Sequence, residues 1–275
     1  MSDSLQTGKF YGATQRRIEL GGVVLTEIAH VTGRKLPCHT HESAYFGLLL
    51  AGSYSERCTH RAAEYATFTM GFHPPALTHS DEVGPGGSRM FCVELCDTYL
   101  SGARAFLTSP QFAPDLCASA VTWLGLRLYH SFANQTLSAL ELQELCGQML
   151  ERVSGSRIGA ETSRPAWLDR ALELLHESYR QTVTLEEIAA QVGVHPIHLS
   201  RVFRKHYACT MAEFMNRLRV QYACRALANG WADLADVASA AGFADQSHLG
   251  RVFKYCTGQT PGKFRAFFHS QLNAY

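Results

Sequence analysis

One pattern is written twice in the C-terminal part of the chain, and this repeat constrains the fold more than any other feature. The first copy runs from Leu185 to Phe214 and the second from Leu234 to Phe264. The offset between copies grows by one residue because the second copy has an extra residue just after its glycine. The identical pairs are Leu185/Leu234, Ala189/Ala238, Gly193/Gly242, His198/His248, Leu199/Leu249, Arg201/Arg251, Val202/Val252, Phe203/Phe253, Thr210/Thr260 and Phe214/Phe264. Because the two copies differ in length only by an insertion at a turn, the sequence predicts that the same structural unit occurs twice.

Each copy has the pattern of two helices joined by a glycine turn. Apolar residues follow Leu185 at i+3, i+4 and i+7, which is the spacing of one buried helix face. Thr184 and Glu187 match a capping box, and Gly193 suits the left-handed residue that ends a helix. Pro196 fits the first turn of a second helix, which has one apolar and one basic face. This order is typical of a helix-turn-helix. Two ordinary helical hairpins are the alternative, which an arginine shared by both copies disfavours.

A single helix is predicted between the copies, from Ala212 to Asn229. Apolar residues recur there every fourth position from Phe214 to Ala226. At 1.5 Å per residue this helix is roughly 25 Å long. Such a strut fits two recognition helices held about one DNA turn, ~34 Å, apart on one face of the duplex.

The segment Trp167 to Phe268 resembles the DNA-binding domain of the AraC/XylS family of bacterial transcription regulators. The two-copy layout, seven expected helices and the closing signature GFADQSHLGRVFKYCTGQTPGKFR carry this resemblance. It implies an all-α domain over residues 167–271 that binds double-stranded DNA through helix-turn-helix motifs at about 184–206 and 233–256. Activation and contact with RNA polymerase are implied in the same way.

The resemblance also assigns roles to exposed residues of the two recognition helices. Arginine can bind guanine through two hydrogen bonds and glutamine can bind adenine, whereas Gly250 offers no side chain for readout. The base-facing candidates are Ile197, Ser200, Arg201, Gln246, Ser247 and Arg251. Phosphate contacts position a protein without specifying sequence. The candidates for that role are His195, Arg204, Lys205 and Lys254.

Charge and cysteine content agree with this division. Residues 1–166 hold 13 Lys and Arg against 15 Asp and Glu, while residues 167–275 hold 12 against 9, so the basic side is the predicted DNA-binding side. The 9 cysteines form no CxxC pair, and the N-terminus has no targeting pattern, which predicts reduced thiols in the cytoplasm. The longest apolar run, Tyr45 to Ala51, is too short to cross a membrane.

The N-terminal half has a different pattern, with short β-type segments broken by turn residues. Closely spaced strands of this kind predict a sandwich or barrel. The predicted strands include Val23–Ile28, Tyr45–Leu50, Ala66–Phe72 and Arg89–Leu95.

Two segments of this half, HTHESAYFGLLLAG from His39 and HPPALTH ending at His79, resemble the two cupin motifs. His39 and His41 lie two residues apart on a strand and are expected on one face. The usual glutamate position of the motif is Tyr45 here, and Glu42 is expected to face the other way. The resemblance implies a cupin-like β-barrel, which regulators generally use to bind an inducer.

Four residues, His39, His41, Tyr45 and His79, are the candidates for an effector pocket or a metal site. Three histidines can bind Zn²⁺ or Fe²⁺ and leave a coordination position open. The alternatives are an effector pocket lined by the histidines, a regulator whose histidines sense a metal, and a metal-dependent cupin enzyme. The missing glutamate and the helix-turn-helix repeat both disfavour an enzyme.

A helical hairpin is predicted after the barrel, over Ala118 to Phe132 and Leu137 to Val153. The second helix carries a leucine-rich stripe, which either forms a homodimer or packs on the barrel. A polar linker is predicted over residues 156–166, between an effector domain at 1–155 and the DNA-binding domain. We therefore expect an α+β multidomain protein: a non-enzymatic transcription regulator, controlled by a small molecule in its N-terminal domain.

Overall fold

The computed structural model describes residues 3–58, 61–100, 116, 119–160, 165–230 and 233–272. The chain divides into two compact units, one formed by Met1–Cys117 with Leu124–Ser154 and the other by Ala118–Trp123 with Gly155–Tyr275. Among the described residues, none of the helices is both long and apolar enough to cross a membrane.

The first unit is built on a β-sheet in which β9 is the central strand. Along one side β9 pairs with β6, and along the other it pairs with successive parts of β5, β4 and β3. All these pairs are antiparallel, whereas β1 pairs with β5 in parallel. The strands are β1 (Asp3–Leu5), β2 (Ala13–Leu20), β3 (Val23–His30), β4 (Arg34–Lys35), β5 (His39–His41), β6 (Ala44–Cys58), β7 (Arg61–Tyr65), β8 (Met70–His73) and β9 (His79–Leu95). The predicted sheet-rich half is confirmed, while its identity as a cupin-like barrel stays a prediction.

One predicted strand, Ala66–Phe72, is wrong in its first half. The chain turns between β7 and β8, where Phe68 adopts a φ of 60° and the Thr69 N–H donates to the carbonyl of Ala66 at 3.0 Å. Phe68 is buried, and its N–H donates to the carbonyl of Leu49 at 2.7 Å. Tertiary contact therefore holds this β-type sequence in a turn.

The helices described between β9 and residue 160 are α1 (Asp97–Leu100), α2 (Ala120–Ala133) and α3 (Ala139–Ala160). Tyr129 and Phe132 of α2 pack on Phe91 of the sheet at ring-centroid distances of 5.3 and 5.0 Å. In α3, Leu145, Met149 and Val153 of the predicted stripe are buried within the chain. The dimerisation hypothesis stays a prediction.

The predicted linker overlaps the end of α3, and residues 161–164 lie outside the described residues.

Within residues 165–230 and 233–272, the second unit consists of helices joined by turns, and the first residues of α2, up to Trp123, are counted with this unit. Its helices are α4 (Ala166–Ser178), α5 (Leu185–Gln191), α6 (Pro196–Tyr207), α7 (Met211–Asn229), α8 (Leu234–Ala241), α9 (Gln246–Thr257) and α10 (Pro261–Leu272). The predicted capping box is present at the start of α5, with Thr184 and Glu187 bonding each other's backbone N–H.

The sequence repeat is also a repeat of packing. Phe203 of α6 meets Phe214 of α7 edge to face, with ring centroids 5.5 Å apart and planes at 84°. The equivalent Phe253 and Phe264 meet at 5.2 Å and 81°. Because all four side chains are buried, each recognition helix is fixed by the same aromatic anchor to the helix that follows it.

Replacing Gly242 by Ala is expected to destabilise the second unit more than replacing Gly193 by Ala. Both glycines have positive φ, 85° and 70°, which costs other residues about 1–2 kcal/mol. A Cβ at Gly242 would lie 2.5 Å from the carbonyl oxygen of Arg180, whereas a Cβ at Gly193 meets nothing within 4 Å. Chemical denaturation should show an additional loss of about 1–3 kcal/mol for Gly242→Ala. Equal losses would contradict this packing.

Candidate functional site

The first recognition helix, α6, presents a polar and basic face to solvent. Its apolar face is held by Leu199 and Phe203, which are fully buried. Opposite them, Arg201 is exposed, and its Nη2 lies 3.4 Å from the Nδ1 of His198. Ile197, a base-facing candidate, is 73% exposed. The other exposed candidates of this helix are Arg204 and Lys205, and Ser200 is half-buried.

The second recognition helix, α9, presents the equivalent face. Leu249 and Phe253 are buried, while Arg251 is exposed at the position of Arg201. The remaining candidates on this helix, Gln246, Ser247 and Lys254, are exposed as well, and Gly250 is half-buried.

Sequence reasoning missed Tyr255, which is 86% exposed on α9. It occupies the position that Lys205 has in α6. The repeat offered the signal, because Lys205 at the equivalent position is a candidate phosphate contact. A tyrosine hydroxyl can donate to a phosphate oxygen, so Tyr255 extends the surface formed by the candidates of α9.

The residues that precede the two recognition helices cap them. The Nδ1 of His195 accepts from the N–H of Ile197 at 3.3 Å, and the carboxylate of Asp245 accepts from the N–H of His248 at 2.7 Å. His195, predicted to contact phosphate, is thus an exposed N-cap whose Nδ1 is already used.

The long helix α7 lies between the two copies of the repeat, where the sequence predicted one continuous helix, while its role as a strut between two DNA-binding modules stays a prediction. Arg219 of α7 donates from Nε to the carbonyl of Tyr179 at 2.6 Å and from Nη2 to that of Gln181 at 2.9 Å. These bonds tie α7 to the segment that leads into the first module. The same guanidinium lies 6.0 Å from the ring centroid of Phe243, in the turn of the second module.

In the first unit, the structure brings His39, His41 and His79 together. His39 and His79 are register partners of β5 and β9, with ring centroids 4.2 Å apart. The ring centroid of His41 lies 5.1 Å from that of His39 and 5.5 Å from that of His79. All three are buried, and one ligand atom from each lies within 4.8 Å of the others.

Tyr45 lies against this histidine cluster, defined as His39, His41 and His79. Its ring packs on His41 at 4.7 Å and stacks on His73 at 4.3 Å with planes at 1°. Glu42 is exposed, and it lies in the bend after β5 rather than on the strand where the sequence placed it.

Three buried residues next to the cluster were missed from the sequence: Glu56, His73 and Asp81. The Nε2 of His73 is hydrogen-bonded to Glu56, and the Asp81 carboxylate lies 3.7 Å from the Nε2 of His39. Asp81 follows His79 by two residues, so strand alternation could have placed it on the same face. Glu56 could not be found this way, because two register shifts in β6 separate it from Tyr45.

Burial dominates the electrostatics of this region. It lowers the pKa of His41 to about 2 and that of His79 to about 4, with neighbouring imidazoles contributing. Burial also raises the pKa of Asp81 to about 6. For Glu56 burial acts in the same direction, but the charge and hydrogen bond of His73 outweigh it and lower the pKa to about 2. The imidazoles of His41 and His79 are therefore neutral at pH 7, the form that binds metals and accepts hydrogen bonds.

Comparison with known proteins identifies the second unit. Residues 168–266 match the family described as a helix-turn-helix domain. Over 153 residues the chain is 28% identical to the uncharacterised HTH-type transcriptional regulator YijO from Escherichia coli (strain K12), covering 52% of this chain and 54% of that protein. It is 24% identical over 133 residues to the Msm operon regulatory protein from Streptococcus mutans serotype c (strain ATCC 700610 / UA159), covering 48% of each.

A longer sequence match extends over residues of both units. The chain is 26% identical over 226 residues to the uncharacterised HTH-type transcriptional regulator YbfI from Bacillus subtilis (strain 168), covering 78% of this chain and 82% of that protein. The chain spans about half the length of YijO and of the Msm regulator. Residues 168–266 thus form a helix-turn-helix domain, and the chain is similar to HTH-type transcriptional regulators.

Proposed function

We propose that this protein is a sequence-specific DNA-binding transcription regulator, an activator controlled by a small molecule bound in its N-terminal unit. The observation that carries the proposal is the repeated recognition face. Arg201 and Arg251 are exposed at equivalent positions of α6 and α9. On each helix, a leucine and a phenylalanine on the opposite face are buried. One such helix reads a few base pairs, and two in series read a longer asymmetric site.

The proposed division of labour on DNA follows from side-chain chemistry. Arg201 and Arg251 each read a guanine, and Gln246 reads an adenine. Ile197 offers apolar contact to a thymine methyl group. Ser200 on α6 and Ser247 on α9 are the remaining base-facing residues. Arg204, Lys205, Lys254 and the capping residue His195 face the phosphates.

Lys205→Ala is expected to weaken binding to specific and unrelated DNA by the same factor. A lysine on a phosphate displaces about one counterion, so its loss should reduce the slope of log K against log salt by roughly 1. Lys9→Ala, at an exposed lysine of the first unit outside the effector cleft, is the control and should change neither affinity nor slope. A loss confined to the specific site would instead assign Lys205 to base readout.

For the effector, the first unit offers a cleft of about 1070 Å³. This volume is in the range that holds small organic ligands. The cleft is lined by Thr32–Lys35, Ser53–Ser55, Glu64–Ala66 and Glu82–Pro85. The histidine cluster with Tyr45 is the other place for an effector, which would hydrogen-bond the imidazoles.

Footprinting on the DNA that flanks the protein's own gene, with and without candidate small molecules, tests this proposal. We expect a protected stretch of about two helical turns on one face of the duplex. Transcription in vitro with purified RNA polymerase then tests activation, because an activator raises the transcript level only when its site is present. Lack of binding to any sequence in an unbiased selection would contradict the proposal.

The histidine cluster favours a second candidate, in which a metal ion occupies the N-terminal unit of the regulator. Its three imidazoles are buried and their ligand atoms lie within 4.8 Å of one another. Homodimer formation, which the family resemblance implies, and cytoplasmic location, which the cysteine content favours, remain proposals. Sedimentation of the purified protein tests the first of these.

A further inference from the structure

We propose that Asp81 completes a mononuclear transition-metal site with the histidine cluster, in the role that the glutamate missing at Tyr45 has in the cupin motif. The ion is a divalent first-row metal, Zn²⁺ or Fe²⁺, both of which accept imidazole and carboxylate ligands. This inference concerns the first unit alone and does not rest on the DNA-binding proposal.

The tautomers of two imidazoles are fixed by the backbone. The Nδ1 of His39 lies 2.9 Å from the carbonyl oxygen of Pro37, and the Nδ1 of His79 lies 3.0 Å from that of Leu77. Since a carbonyl oxygen only accepts, each Nδ1 carries the hydrogen, and in the neutral ring each Nε2 has a free lone pair. Metal-binding histidines are oriented by this same kind of second hydrogen bond.

Both free lone pairs lie near an acceptor. The Oδ2 of Asp81 lies 3.7 Å from the Nε2 of His39 and 3.8 Å from the Nε2 of His79. These distances exceed those of hydrogen bonds. They are close to the separation of roughly 3.4 Å between two ligands in a tetrahedral site with bonds of about 2.0–2.1 Å. A cation placed among the three atoms would convert mutual repulsion into coordination.

The surroundings have the unsatisfied groups that a missing cation would leave. The Nε2 of His79, the Nδ1 of His41 and the Oδ1 of Asp81 are buried and have no hydrogen-bond partner in the described structure. Buried polar atoms are rarely left unpaired. His41 supplies the fourth ligand, because its ring lies beside both other imidazoles.

The spacing of the rings favours an ion over an organic effector at this place. His39 and His79 have centroids 4.2 Å apart, which is direct ring contact, so a molecule of several heavy atoms does not fit between them. A cleft of about 400 Å³ reaches Glu56 and Asp81 from solvent. Its carboxylates, which include Glu64 and Glu82, would attract a cation on its way in.

Glu56 distinguishes this site from a rival one. With His79 and Asp81 it forms a second set of residues whose ligand atoms lie close together. However, Glu56 is already bonded to the Nε2 of His73, and the Sγ of Cys58 donates to its other oxygen at 3.2 Å. We assign Glu56 to holding His73 rather than to the metal.

The test measures metal content of the full chain without any activity assay. Protein purified without chelators should contain about one Zn²⁺ or Fe²⁺ per chain by mass spectrometry. After removal of the metal, Zn²⁺ titration should raise the Tm of the wild type. The variants His39→Gln, His79→Gln and Asp81→Asn should each lower Zn²⁺ affinity by at least ~10- to 100-fold, which is the effect of losing even an outer-shell partner.

Two control variants make the result specific. His30→Gln replaces a buried histidine of β3 outside the cluster and should retain metal. Glu56→Gln should also retain the metal, because Glu56 is bonded to His73 and is not assigned as a ligand. Retention by Asp81→Asn, or loss in Glu56→Gln, overturns the assigned ligand set. Because a variant can lose its fold, circular dichroism is compared with that of the metal-free wild type. Wild-type protein that stays metal-free in excess Zn²⁺ overturns the proposal on its own.

Discussion

The double variant Arg201→Ala/Arg251→Ala is expected to lose site-specific DNA binding almost completely while keeping its fold. An arginine that reads a base contributes about 1–3 kcal/mol, so each single variant should lose that much specific affinity. The two arginines lie on separate helices, and their effects should add to about 2–6 kcal/mol, or roughly 30- to 10⁴-fold in Kd. Binding to unrelated DNA should weaken far less.

The fold should survive because both side chains are exposed and surface substitutions usually change stability by less than ~0.5 kcal/mol. Arg201 makes a long contact of 3.4 Å to His198 on its own helix. Arg170→Ala is the matched control, since it removes an exposed arginine of the same unit that pairs with Glu173 and lies outside both recognition helices. Competition binding with specific and scrambled DNA measures the effect. Wild-type affinity in the double variant would refute the assigned base contacts.

Glu94→Gln is expected to stabilise the protein at pH 8 and to change little at pH 5. Glu94 is buried in β9, and burial raises its pKa to about 7, although the N–H of Gly8 donates to its Oε2 at 2.8 Å and lowers it. An unfolded glutamate titrates near 4.5. The stability given by the neutral carboxyl is therefore complete below pH 4.5 and is lost as the pH rises through 7.

At pH 8 the buried charge costs on the order of 1–3 kcal/mol, which the neutral amide avoids. The amide oxygen of glutamine can still accept from Gly8. Urea unfolding at both pH values, with Glu82→Gln at an exposed position as control, measures the difference. An equal effect of Glu94→Gln at pH 5 and pH 8 would show that the charge of Glu94 is not the cause.

The helical half of the protein was predictable because its signals are local. Apolar spacing, the capping box at Thr184 and the glycine at 193 each specify a helix or its end within a few residues, and the repeat tests every assignment twice. The end of α3 was not predictable in this way. Its last residues, up to Ala160, form a polar stretch without the apolar periodicity that defines a helix in a sequence.

The histidine cluster was only partly predictable, because its members meet through long-range strand pairing. His39 and His41 share a face by simple alternation, and a family resemblance added His79. Glu56 reaches the same region only after register shifts in β6, between Leu49 and Ala51 and between Gly52 and Tyr54. Such irregularities interrupt the alternation of side chains between the two faces, so a count along the sequence does not place Glu56.

The most direct test of the central claim is an unbiased selection of DNA sequences by the purified protein, followed by footprinting of the selected site. We predict an asymmetric site with two conserved blocks about one helical turn apart, protected on one face of the duplex. Arg201→Ala should relax selection in one block alone, and Arg251→Ala in the other. A single block, or failure to enrich any sequence, would contradict DNA recognition by two helix-turn-helix modules.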